Sequence, residues 1–211
     1  MEQLKHHSLS DWDWSPVNTP VLDTVQKYSS PTSLCGRYLS GVWRMGYCFL
    51  KTPNNIPYGR LVTRYRTHFS GDLTTRWYYR VQVPPATYDG YPADGYWYKE
   101  TTAFCEIWRS QNGGQVRLKH ENHPNPYTVD TWVWERLTWY PYIDDPLSPK
   151  LAILFERNIG GVWTQQHLFV DEANLFASSS VNRVGYYLRP YTSNPLYNNW
   201  IDDTEVWKMK E

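Results

Sequence analysis

The chain has 211 residues, with 21 basic and 21 acidic side chains and no net charge. This balance excludes the electrostatic footprint of a nucleic-acid binder and the polybasic patch of a membrane-surface protein. No apolar run approaches the ~18 residues that a membrane helix needs. The length suits a single β-sandwich over residues 1–211, large enough to hide roughly 70% of its unfolded surface. Twelve Trp and eighteen Tyr sharpen the reading. Broad rings pack well on pleated sheets, and their polar edges suit sugar faces and subunit interfaces.

Met1 is followed by the polar run Glu2 to His7, with no apolar signal-peptide region. We therefore expect cytoplasmic synthesis. Work outside the cell then implies a virion component, or a leader removed. Residues 61–69 alternate cleanly, with Leu61, Thr63, Tyr65, Thr67 and Phe69 on one face and Val62, Arg64, Arg66 and His68 on the other. Gly71 and Asp72 signal a turn. Residues 76–83 alternate next, and the two runs are expected to pair as a hairpin. Residues 84–95 read as a long aromatic loop, because Pro84, Pro85, Gly90, Pro92 and Gly95 break any pattern, and the ring-rich part of it is taken from Tyr88 to Tyr98. Strands follow at 103–108 and 115–119, joined at Asn112-Gly113-Gly114, and then at 131–139. The run 150–156 is apolar on both faces and is expected to be central. Asn158 to Gly161 turns it into a strand over 162–170. Asp171 to Phe176 suits one helical turn, and strands over 183–188 and 199–208 close the chain. Tyr65, Leu137, Ile153 and Phe155 belong to the expected core, as do Leu61, Trp77, Val81, Val133 and Val206.

Three cysteines, Cys35, Cys48 and Cys105, have no metal-ligand spacing and allow at most one disulfide; we expect buried thiols. His120 and His123, separated by two residues in a loop, would need further ligands to hold a metal. Glu106, Glu135 and Glu156 sit on separate strands, and glycosidase chemistry would require two of them roughly 5–9 Å apart.

Two binding readings stand. A hairpin of 61–69 with 76–83 places Arg64, Arg66, His68, Tyr78 and Arg80 on one face. Arg66 and Arg80 would neutralise a uronate carboxylate, His68 would take the C5 proton, and Tyr78 would protonate the leaving oxygen. The alternative is a solvated face of interstrand polar pairs. Separately, Tyr88, Tyr91, Tyr96, Trp97 and Tyr98 crowd the aromatic loop and are expected to stack on a glycan, with Arg64 adding hydrogen bonds. Burial of this loop against another subunit, in a homo-oligomer or larger assembly, is the competing expectation.

Three short motifs carry a resemblance: Ser8 to Trp14 ("x-L-S-D-W"), Ser30 to Leu34 ("S-P-x-S-L") and Ile201 to Trp207 ("I-D-D-x-E-V-W"). Together they resemble the terminal strands of concanavalin A-like jelly rolls, a superfamily of lectins, lyases and glycanases. The resemblance implies an all-β fold of two antiparallel sheets. It implies no certain cofactor, although relatives hold Ca²⁺ near the last strand, where Asp202 and Asp11 would serve. A strand cap is the other role for Asp202. The alginate-lyase strand motifs "R-x-E-x-R", "Q-I-H" and "Y-F-K-x-G-x-Y" are absent, as is the "E-x-D-x-E" of a glucanase branch. The favoured reading is a non-catalytic module that binds carbohydrate or packs into an assembly such as a virion. The alternative is a polysaccharide lyase or glycoside hydrolase acting in the concave groove.

Overall fold

The alternating runs of the sequence become strands because a period of two lets one face pack while the other stays wet. The computed structural model describes residues 2–6, 12–14, 21–29, 33–39, 42–44, 46–50, 56–57, 61–69, 75–82, 95–111, 114–142, 150–172, 180–181, 183–189 and 198–208. Among the described residues none is helical; most of the expected helical turn at 171–176 lies outside them. In chain order the strands are β1 (Glu2–His6), β2 (Trp12–Trp14), β3 (Val21–Asp23), β4 (Ser33–Leu39), β5 (Val42–Arg44) and β6 (Gly46–Leu50). Then come β7 (Ile56–Pro57), β8 (Leu61–Phe69), β9 (Thr75–Gln82), β10 (Gly95–Glu100), β11 (Phe104–Gln111) and β12 (Gly114–Asn122). The last six are β13 (Val133–Tyr142), β14 (Lys150–Ile159), β15 (Val162–Asp171), β16 (Ser180–Val181), β17 (Arg183–Arg189) and β18 (Asn199–Lys208).

Two large antiparallel sheets form. The first runs β15-β14-β13-β8-β18-β4-β3, with β1 and β5 attached to β18 and β4; the second runs β12-β11-β10-β9-β17-β6-β2. Both draw strands from the two halves of the chain, the arrangement of a jelly roll. Strands of the expected kind fall at 61–69 and 199–208, and the Gly-rich turn before β15 is real. Gly160 and Gly161 take φ of 60° and 90°, and the Asn158 side chain accepts from the Gly161 amide at 3.0 Å. Such angles at both central positions are those of a tight hairpin turn.

One pairing differs from expectation. β8 and β9 are not a hairpin: β8 lies between β13 and β18, whereas β9 lies between β10 and β17 in the other sheet. The turn signal after Phe69 marks a crossover between layers. Residues 95–98, expected to belong to the aromatic loop, instead open β10 (Gly95–Glu100). Its Tyr96, Tyr98 and Glu100 are buried and Lys99 is partly exposed, which is the alternation of a half-covered strand.

The core lies between the sheets. Tyr65, Leu137 and Trp139 are 0% exposed, and Ile153 and Phe155 are 2% and 1% exposed. Tyr98 meets Phe155 at 5.2 Å between ring centroids, and Tyr96 meets Trp139 at 5.9 Å, so aromatic pairs tie one layer to the other. Full burial of such a side chain contributes about 1.5–3 kcal/mol. Val133 is only partly buried because it opens β13 at the sheet margin. The side chains of Leu61, Trp77, Val81 and Val206 lie outside the described residues.

Candidate functional site

The outer face of the first sheet carries Arg64, Arg66 and His68, and it satisfies itself. Arg64 pairs with Glu205 on the neighbouring β18, and Arg66 Nε donates to Asp203 at 3.0 Å. The Arg66 guanidinium lies 3.5 Å from the Tyr28 ring centroid and 4.1 Å from that of Trp134, over which Arg64 also stacks at 5.0 Å. Further along, Arg136 pairs with Glu156 at 2.6 Å and stacks 4.4 Å above Trp163. His68 is 4% exposed, wedged between Trp132 and Trp200. The face is therefore a ladder of interstrand ion pairs whose aromatic surfaces are already covered by guanidinium groups. Arg66 and His68 do not share a face with Tyr78 and Arg80, because those two belong to β9 in the other sheet; the Tyr78 and Arg80 side chains lie outside the described residues.

The expected aromatic platform also divides. Tyr96 and Tyr98 are 0% and 1% exposed, facing the core, so neither is a stacking surface. Period-two alternation turns them inward, opposite Trp139 and Phe155. Tyr88 and Tyr91 lie outside the described residues. Of Trp97 only the backbone is described, and it stands opposite Trp108 in the β10–β11 register.

Asp202, within β18, ties down the backbone of the 28–29 segment. One of its oxygens accepts from the amides of Tyr28 at 2.7 Å and Ser29 at 3.3 Å, and the other from the Asp203 amide at 2.8 Å. Asp203, at φ 49°, sits in the bulge where the β18–β8 register shifts, which turns its carboxylate toward Arg66. Asp11 lies outside the described residues.

The carboxylates proposed for glycosidase chemistry occupy three different surfaces. Glu156 is on the outer face of the first sheet, Glu135 is 0% exposed within the sandwich beside Arg157, and Glu106 is on the outer face of the second sheet. No two of them make a catalytic pair.

Glu106 anchors the candidate site. It stands on β11 between Lys99 of β10 and His120 of β12 in register, with Trp108 and Arg117 paired in the next row. The carboxylate accepts from Lys99 Nζ at 3.0 Å, Arg117 Nη1 at 3.0 Å and Trp108 Nε1 at 3.1 Å, and His120 Nδ1 lies 3.1 Å away. Burial pushes this carboxyl up. The hydrogen bonds from Lys99, Trp108 and His120, with the Lys99 charge, outweigh it and hold the pKa at about 2. Phe104 completes the cluster, 4.6 Å from the His120 ring and 5.5 Å from Lys99 Nζ. The Arg117 and His120 side chains are 53% and 42% exposed, while Glu106 is 5% exposed beneath them. A buried anion thus fixes the ends of exposed donors beside two partly exposed rings. Period two explains the set: Phe104, Glu106 and Trp108 alternate with the inward Cys105 and Ile107. The sequence marked Glu106 and His120 singly, but only strand pairing joins them to Lys99 and Arg117.

A second polar cluster lies inside the sandwich. Arg157, 3% exposed, stacks 3.4 Å above Tyr127, donates to the Asn125 carbonyl, and lies 3.6 Å from Glu135 and 3.9 Å from Glu100. His123 faces His167 here rather than His120, since positions 120 and 123 fall on opposite sides of the sheet.

No protein-family model matches the sequence, and no curated protein sequence matches it. Solved structures do match. The exoplasmic/lumenal domain of VIP36, bound to Ca²⁺ and Man3GlcNAc, aligns with TM-score 0.59 and 8% identity over 97% of this chain and 86% of that one. The winged bean acidic lectin, complexed with methyl-α-D-galactose, aligns with TM-score 0.55 and 12% identity over 99% and 97%. Alginate lyase Aly36B, in complex with alginate trisaccharide, aligns with TM-score 0.55 and 8% identity over 99% and 98%. Together with the two antiparallel sheets and the chain ends paired in one of them, these likenesses establish that the protein has the concanavalin A-like jelly-roll fold.

Proposed function

We propose that the protein is a non-catalytic carbohydrate-binding module whose ligand lies on the outer face of the seven-stranded sheet, across Phe104, Trp108, Arg117 and His120. One observation carries the reading: the buried Glu106 carboxylate holds Lys99, Arg117, His120 and Trp108 in place on an otherwise accessible face. Such preorganisation lowers the entropy lost on binding. The partly exposed Trp108 offers a ring for the apolar face of a hexose, and Arg117 and His120 offer donors to its hydroxyls. Lys99 and Arg117 against Glu106 leave one formal positive charge in excess. That favours a glycan bearing carboxylates, to which Arg117 binds as a fork. The lectins and the lyase of the same fold support carbohydrate as the ligand class. The nine-stranded sheet is the weaker candidate because its arginines lie 3.5–5.0 Å over its rings, closer than the 5.8 Å of Arg117 over Trp108.

The test is retention on immobilised neutral and uronate-bearing polysaccharides. Wild type should be retarded by the acidic glycan, and Trp108→Ala and Arg117→Ala should lose at least tenfold in affinity while keeping the wild-type circular dichroism. Equal retention of all three proteins, or none by wild type, refutes the site. An absorbance assay for unsaturated uronate ends decides the lyase alternative: growth of that signal with wild type overturns the non-catalytic reading.

A further inference from the structure

The interior cluster holds a second site, on the opposite side of the seven-stranded sheet from the glycan face. His123 Nε2 lies 3.1 Å from the Thr101 carbonyl oxygen, which can only accept, so that nitrogen carries the ring proton. The lone pair of the neutral ring is then on Nδ1. His167 Nδ1 lies 2.8 Å from a Glu121 carboxylate oxygen and carries the proton of its own ring, which leaves the lone pair on Nε2. Burial acts to raise Glu121, but hydrogen bonds from Lys119 and His167 hold it below the usual carboxylate range, in its accepting form. The two lone-pair nitrogens face each other across 3.1 Å. Two lone pairs at that distance require an electron-pair acceptor between them.

Cys105 supplies a third donor. Its Sγ and the two imidazole nitrogens all lie within 4.8 Å of one another, and the three residues are 4%, 5% and 8% exposed. We propose that Cys105, His123 and His167 form a zinc site within the sandwich. The donor set is one soft sulfur and two borderline nitrogens, which selects zinc over the hard cations of oxygen sites. Zn–N and Zn–S bonds of about 2.0–2.1 and 2.3 Å place tetrahedral donor atoms roughly 3.3–3.6 Å apart. The histidine nitrogens, 3.1 Å apart, need to part by only about 0.2 Å, and the thiol closes on them by a shift of about 1 Å. Each imidazole is oriented through its other nitrogen, one by a backbone carbonyl and one by a carboxylate, the arrangement that fixes zinc-binding histidines. A small, largely apolar cavity lined by Tyr98, Cys105, Glu121, Phe155 and His167 adjoins two of the three donors.

Charge supports the same conclusion. Glu100, Glu121 and Glu135 outnumber Arg157 and Lys119 by one formal negative charge around the donors. Binding of an ion by Cys105 releases the thiol proton to solvent. The Cys105 thiolate brings the formal count to minus two, which a divalent cation cancels. The competing acceptor is a proton shared by the two rings, which would take up no metal.

The experiment strips the full chain with a chelator and titrates it with Zn²⁺, and separately with Co²⁺ as a spectroscopic substitute. The expected results are uptake of one ion per chain and a thiolate-to-cobalt charge-transfer band with the intense visible bands of a tetrahedral ion. At free Zn²⁺ 100-fold above Kd, Tm should rise by about 5–10 °C. Cys105→Ser should remove the charge-transfer band, and His167→Gln should weaken binding at least tenfold, while His120→Gln on the opposite face should leave both intact. Failure of the wild-type protein to take up either ion overturns the proposal and leaves a shared-proton histidine pair. Undiminished uptake by both Cys105→Ser and His167→Gln overturns it as well, since the ion then sits elsewhere. The wild-type cobalt spectrum decides the matter even if a variant fails to fold.

Discussion

Replacing Glu106 by Gln keeps the shape of the side chain and removes its charge, and it tests the electrostatics of the outer face directly. The folded protein holds this carboxyl at about 2, against an ordinary value of 4.5. The sign follows from the depressed value: the ionised form stabilises the fold above the unfolded pKa, and that stability is lost as pH falls through the folded pKa. At neutral pH the full shift corresponds to about 3.4 kcal/mol. The exposure of Arg117 and His120, 53% and 42%, screens part of it, so we expect about 2–3 kcal/mol. Less than half of that should survive at pH 3, where the unfolded carboxyl is mostly protonated and the folded one mostly is not. Urea denaturation of wild type and Glu106→Gln between pH 7 and pH 3 measures the difference. It should shrink as pH falls, because the glutamine variant lacks this titration. A stability gap that stays constant from pH 7 to pH 3 would refute the reasoning and make the loss a matter of packing alone.

Three further outcomes are expected. Phe155→Ala opens the space between the sheets where Tyr98 and His167 pack on the ring, and should cost about 3–5 kcal/mol in denaturant titration; a loss below about 1 kcal/mol would place the ring outside the core. Arg157→Leu leaves Glu100 and Glu135 buried without their shared cation and should cost about 3–5 kcal/mol. Adding Glu135→Gln should recover part of this, and no recovery in thermal melts would remove the ion pair from the account. Gly161, at φ 90° with open space about it, should cost roughly 1–2 kcal/mol when changed to Ala, purely from the backbone. Gly160→Asn at φ 60° should be nearly neutral; equal melting temperatures for both variants would show that the turn relaxes.

Much of the strand layout was legible because side-chain alternation is local. Residues 61–69 and 199–208 announce their strands without reference to any partner, and Asn158 to Gly161 announces its turn through residues that tolerate positive φ. Strand 95–100 was hidden because the Pro and Gly residues before it break the period, and because three rings in a row followed by Lys99 and Glu100 show no apolar–polar alternation. Partner choice is not local. Gly71 and Asp72 look alike whether the chain folds back on its own sheet or crosses to the other, and this crossover separates His68 from Tyr78.

The sequence by itself determined an all-β chain and its turn chemistry, since these depend on neighbours within a few residues; the jelly roll was what the resemblance of the terminal motifs implied. Only the tertiary structure decided which polar residues are buried and what they meet. Glu100, Glu135, Arg157, His123 and His167 are types that belong in water when read singly. Layer packing excludes water and sets them against one another. Pairing of β10, β11 and β12 likewise made Glu106 the centre of a cluster rather than an isolated carboxylate. The physical reason is that a hydrogen bond or ion pair joins atoms close in space, and in a sandwich most such neighbours are remote along the chain.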